Sequence, residues 1–418
     1  MSRPLPQSVV LVNPLGDFGI DTYTHELARG LAENGVHVDV FTSEISRLKV
    51  YVTHPNYRRF RVLGSSLPRV LADSSLRGEP ARSDPSVEAS GVYRSLMPAA
   101  TIPVWWSWAR KYYLGSELAI YLRRARYDVV WTQWPDFGPY ATFWAASRWL
   151  RLPIVHTVHN ILPHERNPGD IAMCERVYRT ACLLFVHSTP VLEELTSLFP
   201  AHASKAVTMP FGTYTVYPRR PEARARVRNA FNIPANAVVL LCCGSIRPYK
   251  NVDACIYAMV GIKRKDVILL IAGGEPESTP TDLLAQTRVL VRQIGIEDRV
   301  RLHPGFLDET GMAELFEAAD VLMLPYLKSY GSGLLMLGIT FGKYIVATRT
   351  GMEESASRYP GTIFVAGSTP DDVRHGIELA VDRVAAGPRS IDRVSPELDW
   401  TSIADQCLNE IGRVLPNR

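Results

Sequence analysis

The run Val238-Val239-Leu240-Leu241-Cys242-Cys243 is apolar at every position, so a strand built from it must be covered on both faces. Comparable runs recur at Ser8–Asn13, 36–41, 127–133, 153–158, 183–187 and 206–211. A second series follows at 267–272, 300–303, Val321–Leu324, 344–347 and Thr362–Val365. Between them lie stretches of helical spacing, as at 23–34, where Leu27 and Leu31 share a stripe with Ala28 and Ala32 and Gly35 closes the pattern. Strands alternating with helices predict an α/β chain of parallel, doubly wound sheets. A chain of 418 residues exceeds one ordinary core, so two Rossmann-like domains are expected, at 1–212 and 223–398. Residues 212–222, with Pro218, Pro221 and two arginines and no apolar period, read as the linker. The amphipathic segment 399–418 reads as a final helix packing back on the first domain.

Composition narrows the function class. Hydrophobic residues at 46% with 21% charged describe an ordinary globular protein. A net charge of +4 is too small for a nucleic-acid binder, but it suits a local basic patch facing phosphate or anionic lipid. The six cysteines form no C-x-x-C pair and several lie in apolar runs, which points to core packing in a reducing cytosol. No stretch has the length of a signal peptide or a membrane span, so a cytoplasmic protein is expected, soluble or peripheral on the inner face of the membrane.

The chemistry concentrates after the apolar run at 238–243. Gly244-Ser245-Ile246-Arg247-Pro248-Tyr249-Lys250-Asn251 turns a strand into a helix start, where outward N–H groups suit an anion, with Asn251 or Asp253 placed to cap the helix. Arg247 and Lys250 add two cations, so the loop reads as a diphosphate seat; a surface loop with two solvated cations has the same composition. Gly331-Ser332-Gly333 opens a second helix, whose first amides, through Leu334, offer another phosphate site. Gly273, Gly274 and Phe306 follow other strands of this half.

In the first half, Gly16 and Gly19 form a glycine turn at a strand's carboxyl end, where open α/β sheets bind ligands, although a tight turn with no ligand reads the same way. Asp136, His159 and Glu165 also follow strands and are candidate general bases; equally, Asp136 suits a cap and His159 a hydrogen-bonded strand end. His156, His159 and His164 match no zinc spacing, and no metal site is expected. The segment 64–91 lacks periodicity and reads as a long loop. At 103–126, Trp105, Trp106, Trp108, Tyr112 and Tyr113 stand among Arg110, Lys111, Arg123, Arg124 and Arg126, a composition of membrane-interface helices and of core helices with snorkelling cations alike.

The two doubly wound halves, the GSIRPYK loop and the Gly-Ser-Gly helix start resemble GT-B glycosyltransferases of the large family 4-like superfamily, and the likeness covers nearly the whole chain. The resemblance implies two domains facing across a cleft, a nucleoside diphosphate sugar held by the second, and an acceptor held by the first. It implies that Arg247 and Lys250 neutralise the leaving diphosphate. Two glutamates usual in that superfamily are replaced here by Ser329 and Leu337, which puts a retaining mechanism in doubt and admits a non-catalytic scaffold. Glu353 and Glu354 are candidates to replace the missing ribose partner, or else exposed helix-start carboxylates. The strings at 159–165, 246–250 and 332–337 resemble xanthan-type exopolysaccharide β-mannosyltransferases, which invert, use GDP-mannose and act on polyprenyl-diphosphate-linked glycans. No Asp-x-Asp occurs, so a metal-independent transfer is expected, with no cofactor besides the sugar nucleotide.

Overall fold

The structure, a computed structural model, describes residues 5–15, 18–43, 46, 48, 54–63, 104–135, 142–163, 167–275, 282–387 and 395–415. It divides into two units, Met1–Met209 with Trp400–Arg418, and Pro210–Asp399.

In the first unit, β1 (Ser8–Asn13), β2 (His37–Ser43), β3 (Tyr57–Leu63), β4 (Val129–Thr132), β5 (Ile154–Thr157), β6 (Leu183–Val186) and β7 (Ala206–Thr208) form one sheet in the order β3-β2-β1-β4-β5-β6-β7. Every pairing is parallel. The winding reverses between β1 and β4, so the crevice at this fold's switch point lies at the carboxyl ends of those two strands. Strand β3 was missed by the apolar-run criterion. Its sequence, YRRFRVL, carries three arginines, and two of them are neutralised locally: Arg58 donates to Asp39 at 2.7 Å, and Arg59 lies 3.4 Å from Asp21. As an edge strand it needs no apolar residue at every position.

The helix Phe18–Glu33 covers one face of this sheet through Tyr23, Leu27, Ala28 and Leu31, all buried. The final helix, Trp400–Val414, packs on it. A Cβ on Gly30 would lie 2.2 Å from the Trp400 carbonyl oxygen, so only glycine permits that approach. In Val104–Ala125 the described side chains put Leu118, Ala119 and Leu122 in the core, with Arg123 and Arg124 exposed. Over this half one side of the helix is therefore buried. The side chains of Trp105, Trp106, Trp108, Arg110, Lys111, Tyr112 and Tyr113, like the whole segment 64–91, lie outside the described residues.

The second unit holds β8 (Val238–Cys243), β9 (Val267–Gly273), β10 (Val300–Pro304), β11 (Val321–Leu324), β12 (Tyr344–Thr348) and β13 (Thr362–Val365) in the order β10-β9-β8-β11-β12-β13, again all parallel. All six residues of β8 are buried, as its apolar run requires, and each large one contributes about 1.5–3 kcal/mol. The switch point falls between β8 and β11. The segment 212–222 is pinned to this unit rather than loose. Tyr214 and Tyr217 are buried, the Tyr214 amide donates to Thr340 Oγ1 at 3.0 Å, and the Thr213 amide donates to the Leu398 carbonyl at 2.9 Å.

One partly buried ion network ties the entry of this unit to its sheet. Asp320 accepts from Arg224 at 2.6 Å, from Arg228 at 2.8 Å and from the Val239 amide at 2.8 Å. Arg228 also caps carbonyls of Ala318, Ala235 and Ala237, and Lys343 caps Ala319 at 2.9 Å. These cations satisfy the open carbonyl end of the helix Glu309–Ala318.

Candidate active site

Two strand edges carry the residues singled out above. At the second sheet's switch point, β8 ends at Cys243 and the chain turns through Gly244 at φ 81°. A short 3-10 turn, Pro248–Lys250, follows, and then the helix Val252–Gly261. Lys250 is buried, and its ammonium donates to the Cys243 carbonyl at 3.0 Å. A Cβ on Gly244 would stand 3.1 Å from that nitrogen, so the cation lies against the backbone of the turn. Arg247 is half-buried in extended conformation. Asn251 occupies the cap position but does not cap. It is left-handed (φ 54°, ψ 43°), and its side chain donates instead to the carbonyls of Pro325 at 3.2 Å and Ser368 at 2.8 Å. A capping residue needs β-region geometry, which this turn denies it. Its amide ties the 244–251 loop to the neighbouring loops.

Those loops are laced together. The Ile246 amide donates to Gly274 at 2.9 Å, the Leu327 amide to Tyr249 at 2.8 Å, the Gly305 amide to Gly273 at 3.1 Å, and the Ser329 amide to Thr350 at 3.0 Å. Gly273, at φ 147°, passes so close to the 244–251 loop that a Cβ on it would sit 2.0 Å from the Gly244 oxygen. A small pocket beneath the loop is lined by Gly244, Lys250, Ile246, Cys243 and Tyr326 among others. Cys242 and Cys243 are buried core thiols, and burial holds the Cys243 thiol up at about 12.

The Gly-Ser-Gly segment opens the helix Gly333–Thr340, with Ser332 as a true cap whose hydroxyl accepts from Leu335 N at 3.2 Å. Ser329 is buried and structural in its contacts: its hydroxyl donates to the Gly331 carbonyl at 2.7 Å and accepts from the Gly331 amide at 3.2 Å. With these bonds made, Gly333 and Leu334 supply the helix's outward first-turn amides. Gly333 is packed from below, since a Cβ there would meet the Tyr214 hydroxyl at 2.7 Å. Leu337, in place of the second glutamate, is a core residue. Glu353 accepts from the Gly351 amide at 2.8 Å, and Glu354 lies 3.7 Å from Arg358. Phe306 is 53% exposed beyond β10.

At the first sheet's edge, Gly16, Asp136, His164 and Glu165 lie outside the described residues. Gly19 sits in the first turn of Phe18–Glu33. His159 has both nitrogens engaged within the protein: Nε2 is 3.2 Å from the Gln133 carboxamide and Nδ1 is 3.3 Å from His187 Nε2. His187 Nδ1 in turn lies 3.4 Å from the Met209 carbonyl oxygen. Burial holds His187 down at about 4, and burial followed by the neighbouring His187 and His156 holds His159 well below the ordinary imidazole range. Both rings are therefore neutral at pH 7. His156 is a buried strand residue, 2.8 Å from the Thr132 hydroxyl. Among the described residues no cluster of His, Cys, Asp or Glu is arranged to hold a metal ion. Sequence reasoning assigned no role to Gln133 or His187. Each closes a strand run, and that position was the available signal.

Comparison with known proteins completes the picture. The family described as "Glycosyl transferase 4-like domain" matches residues 18–212, and "Glycosyl transferases group 1" matches residues 237–382. A D-inositol 3-phosphate glycosyltransferase of Kineococcus radiotolerans is 25% identical over 96% of this chain and 91% of its own. A GDP-mannose:glycolipid 4-β-D-mannosyltransferase of Xanthomonas campestris is 25% identical over 67% of this chain and 78% of its own. The catalytic domain of starch synthase IV from Arabidopsis thaliana, solved with ADP and acarbose, superposes with a TM-score of 0.72 at 12% identity, over 99% of this chain and 100% of its own. No helix among the described residues is long and apolar enough to cross a membrane. With two doubly wound units in the order of its two matched domains, the chain is a glycosyltransferase of GT-B architecture, a hexosyltransferase of the 4-like superfamily.

Proposed function

We propose that this enzyme transfers a hexosyl unit, mannose from GDP-mannose, with inversion, to a glycan or polyprenyl-diphosphate-linked glycan in exopolysaccharide or cell-envelope assembly. The observation that carries the reading is the β8–β11 switch point of the second unit, where Arg247, Lys250 and the Gly333 and Leu334 amides belong to adjoining loops. Cations and helix-start amides fixed before the reaction stabilise a departing diphosphate without reorganising. Phe306, with the backbone of Gly273 and Gly274, is proposed to meet the base, and Glu353 and Glu354 the ribose. The mannosyltransferase of Xanthomonas supports the donor and the lipid-linked acceptor.

In the proposed step the acceptor hydroxyl gives its proton to a carboxylate of the first unit and its oxygen bonds to the anomeric carbon. The bond from that carbon to the diphosphate oxygen breaks, and its electron pair leaves with the nucleoside diphosphate. Asp136 is proposed as the base, with Glu165 the alternative. His159 is better placed as a supporting group, because both its nitrogens are occupied. Attachment to an anionic inner membrane surface is part of the proposal, through the segment 103–126. Nucleoside diphosphate release measured across GDP- and UDP-sugars tests the donor, and release from GDP-mannose above all others is expected. A preference for a UDP-sugar overturns the donor assignment and favours the retaining reading. No release from any donor favours a scaffold. Co-sedimentation with anionic liposomes is expected, and its absence removes the membrane element.

A further inference from the structure

Where a helix of this chain ends in a left-handed turn, the residue is mostly glycine, as at Gly35, Gly295, Gly342 and Gly387, or Asn232, whose short side chain tolerates the conformation. Two neighbouring helices of the first unit end on arginine instead. Arg126, at φ 58°, follows the helix Val104–Ala125. Arg151, at φ 53°, follows the helix Phe143–Trp149, and its amide donates to the Arg148 carbonyl at 3.2 Å. A long side chain is strained in this conformation and glycine is not. Strain kept on an exposed surface points to a use for the side chain.

The two arginines stand side by side at the amino edge of the first sheet. β4 and β5 pair with Val130 opposite Ile154, and Arg126 lies four residues before the one, Arg151 three before the other. The hydroxyls of Ser116 and Thr142 join the two helices at 3.0 Å, and Arg123 and Trp149 each lie seven residues further along, so they reach the same edge. Trp149 is 81% exposed, more than any other large apolar side chain among the described residues. Arg123, Arg124, Arg126, Arg148 and Arg151 are exposed around it. Among the described residues no hydrogen bond or ion pair engages these five guanidinium groups, whereas Arg29, Arg58, Arg224 and Arg374 each lie on a carboxylate. Asp128, two residues after Arg126, is turned to the start of β1 and accepts from the Gln7 and Ser8 amides at 2.9 and 3.0 Å. Cations at helix carboxyl ends favour the helix dipole, which accounts for Arg123, Arg124 and Arg148 but not for the left-handed pair or for Trp149.

We propose that this edge is a docking surface for a partner protein that presents carboxylates to the arginines around a pocket for Trp149. Charge complementarity requires an anionic partner. Guanidinium groups recognise carboxylates by a fork of fixed geometry, which suits arginines whose backbones are held in set turns; a fluid layer of headgroups needs no such placement. Tryptophan and arginine are also the side chains that carry most of the binding energy between proteins. The surface lies at the strands' amino ends and the switch-point crevice at their carboxyl ends, so partner and substrate do not compete. A bilayer seated on it would turn that crevice away from a lipid-linked acceptor, a clause that rests on the acceptor reading above. The other end of the helix Val104–Ala125, about 33 Å away along its 22 residues, belongs to the membrane contact proposed above.

A benzophenone amino acid placed at position 149 of the full chain, and at the exposed Val289 of the second unit as control, reads the surface by photo-crosslinking in the cell that makes the enzyme. A protein adduct is expected from 149 and not from 289, and mass spectrometry of the adduct gives the partner peptide that was touched. That peptide is expected to be rich in Asp and Glu. Made synthetically, it is expected to bind the purified enzyme about tenfold or more weakly when Arg148→Glu and Arg151→Glu are combined, and more weakly in 0.5 M salt, roughly, than in 0.1 M. No adduct, or a touched peptide without carboxylates, overturns the proposal. Vesicles of phosphatidylglycerol and brominated phosphatidylcholine test the membrane instead: quenching of tryptophan emission is expected to be equal in wild type and Trp149→Phe. Quenching that Trp149→Phe removes would make this a membrane face and overturn the partner assignment, while a protein that ignores the vesicles altogether bears only on the membrane element above. Arg126→Gly and Arg151→Gly are each expected to raise Tm by about 1–4 °C and to weaken the peptide. A fall in Tm would show that the two arginines serve their helix ends, against the proposal.

Discussion

The close approach of Gly273 to the 244–251 loop turns one methyl group into a test of that loop's proposed role. In Gly273→Ala the new Cβ would lie 2.0 Å from the Gly244 oxygen and 2.8 Å from its carbonyl carbon, and the backbone sits at φ 147°. Neither neighbour is a flexible side chain, so the loop must move by more than about 1 Å to reach ordinary contact. Overpacking of this kind costs about 1–3 kcal/mol. The backbone conformation adds about 1–3 kcal/mol. For a unit of this size each kcal/mol lowers Tm by about 2–4 °C, which gives a fall of roughly 5–20 °C. The displaced loop carries Arg247 and Lys250, so donor affinity is expected to fall about tenfold or more, read by isothermal titration with the nucleoside diphosphate. Gly295→Ala is the control. Gly295 is also left-handed, at φ 73°, but a Cβ there meets nothing within 4 Å. It is expected to cost about 1 kcal/mol with donor affinity unchanged. A Gly273→Ala protein matching that control in both measurements would refute the close-approach argument.

Arg247→Ala and Lys250→Ala are each expected to lower kcat by about 10²–10³ by stopped assay, whereas Ala at the exposed Lys263 changes it little. Full activity in Arg247→Ala removes it from the leaving-group role. Asp320→Asn leaves Arg228, 3% exposed, without its counter-charge and is expected to cost about 3–5 kcal/mol in urea unfolding; a loss below about 1 kcal/mol would show the network to be dispensable. His25, His156 and His187 are held by burial at about 3, 3 and 4, below the ordinary value of 6.5. The unfolded chain therefore binds more protons between about pH 4 and 6.5, so stability is full above about 6.5 and falls as pH drops through that window. Urea midpoints against pH read this, and His156→Gln should flatten the curve. A slope unchanged by that substitution contradicts the assignment.

Most of the strands were readable because parallel strands covered on both faces must be apolar throughout. The run 238–243 could be little else, and the runs at 321–324 and 362–365 match their strands residue for residue. Strand β3 escaped for the complementary reason: its arginines are balanced by Asp39 and Asp21, which lie far away in sequence. Asn251 was read as a cap from its residue type, but a left-handed backbone sent its side chain to Pro325 and Ser368. Gln133, His159 and His187 come together only because three adjacent strands end at one edge, a neighbourhood that no local spacing encodes. The same holds for the contact between Gly273 and Gly244, which joins the ends of β9 and β8.

The configuration of the new glycosidic bond tests the proposed transfer most directly. With purified enzyme, GDP-mannose and a polyprenyl-diphosphate-linked glycan, proton NMR of the product's anomeric signal distinguishes the two outcomes. A β-linked mannosyl product, lost in Arg247→Ala, is the predicted result. An α-linked product would contradict the inverting displacement.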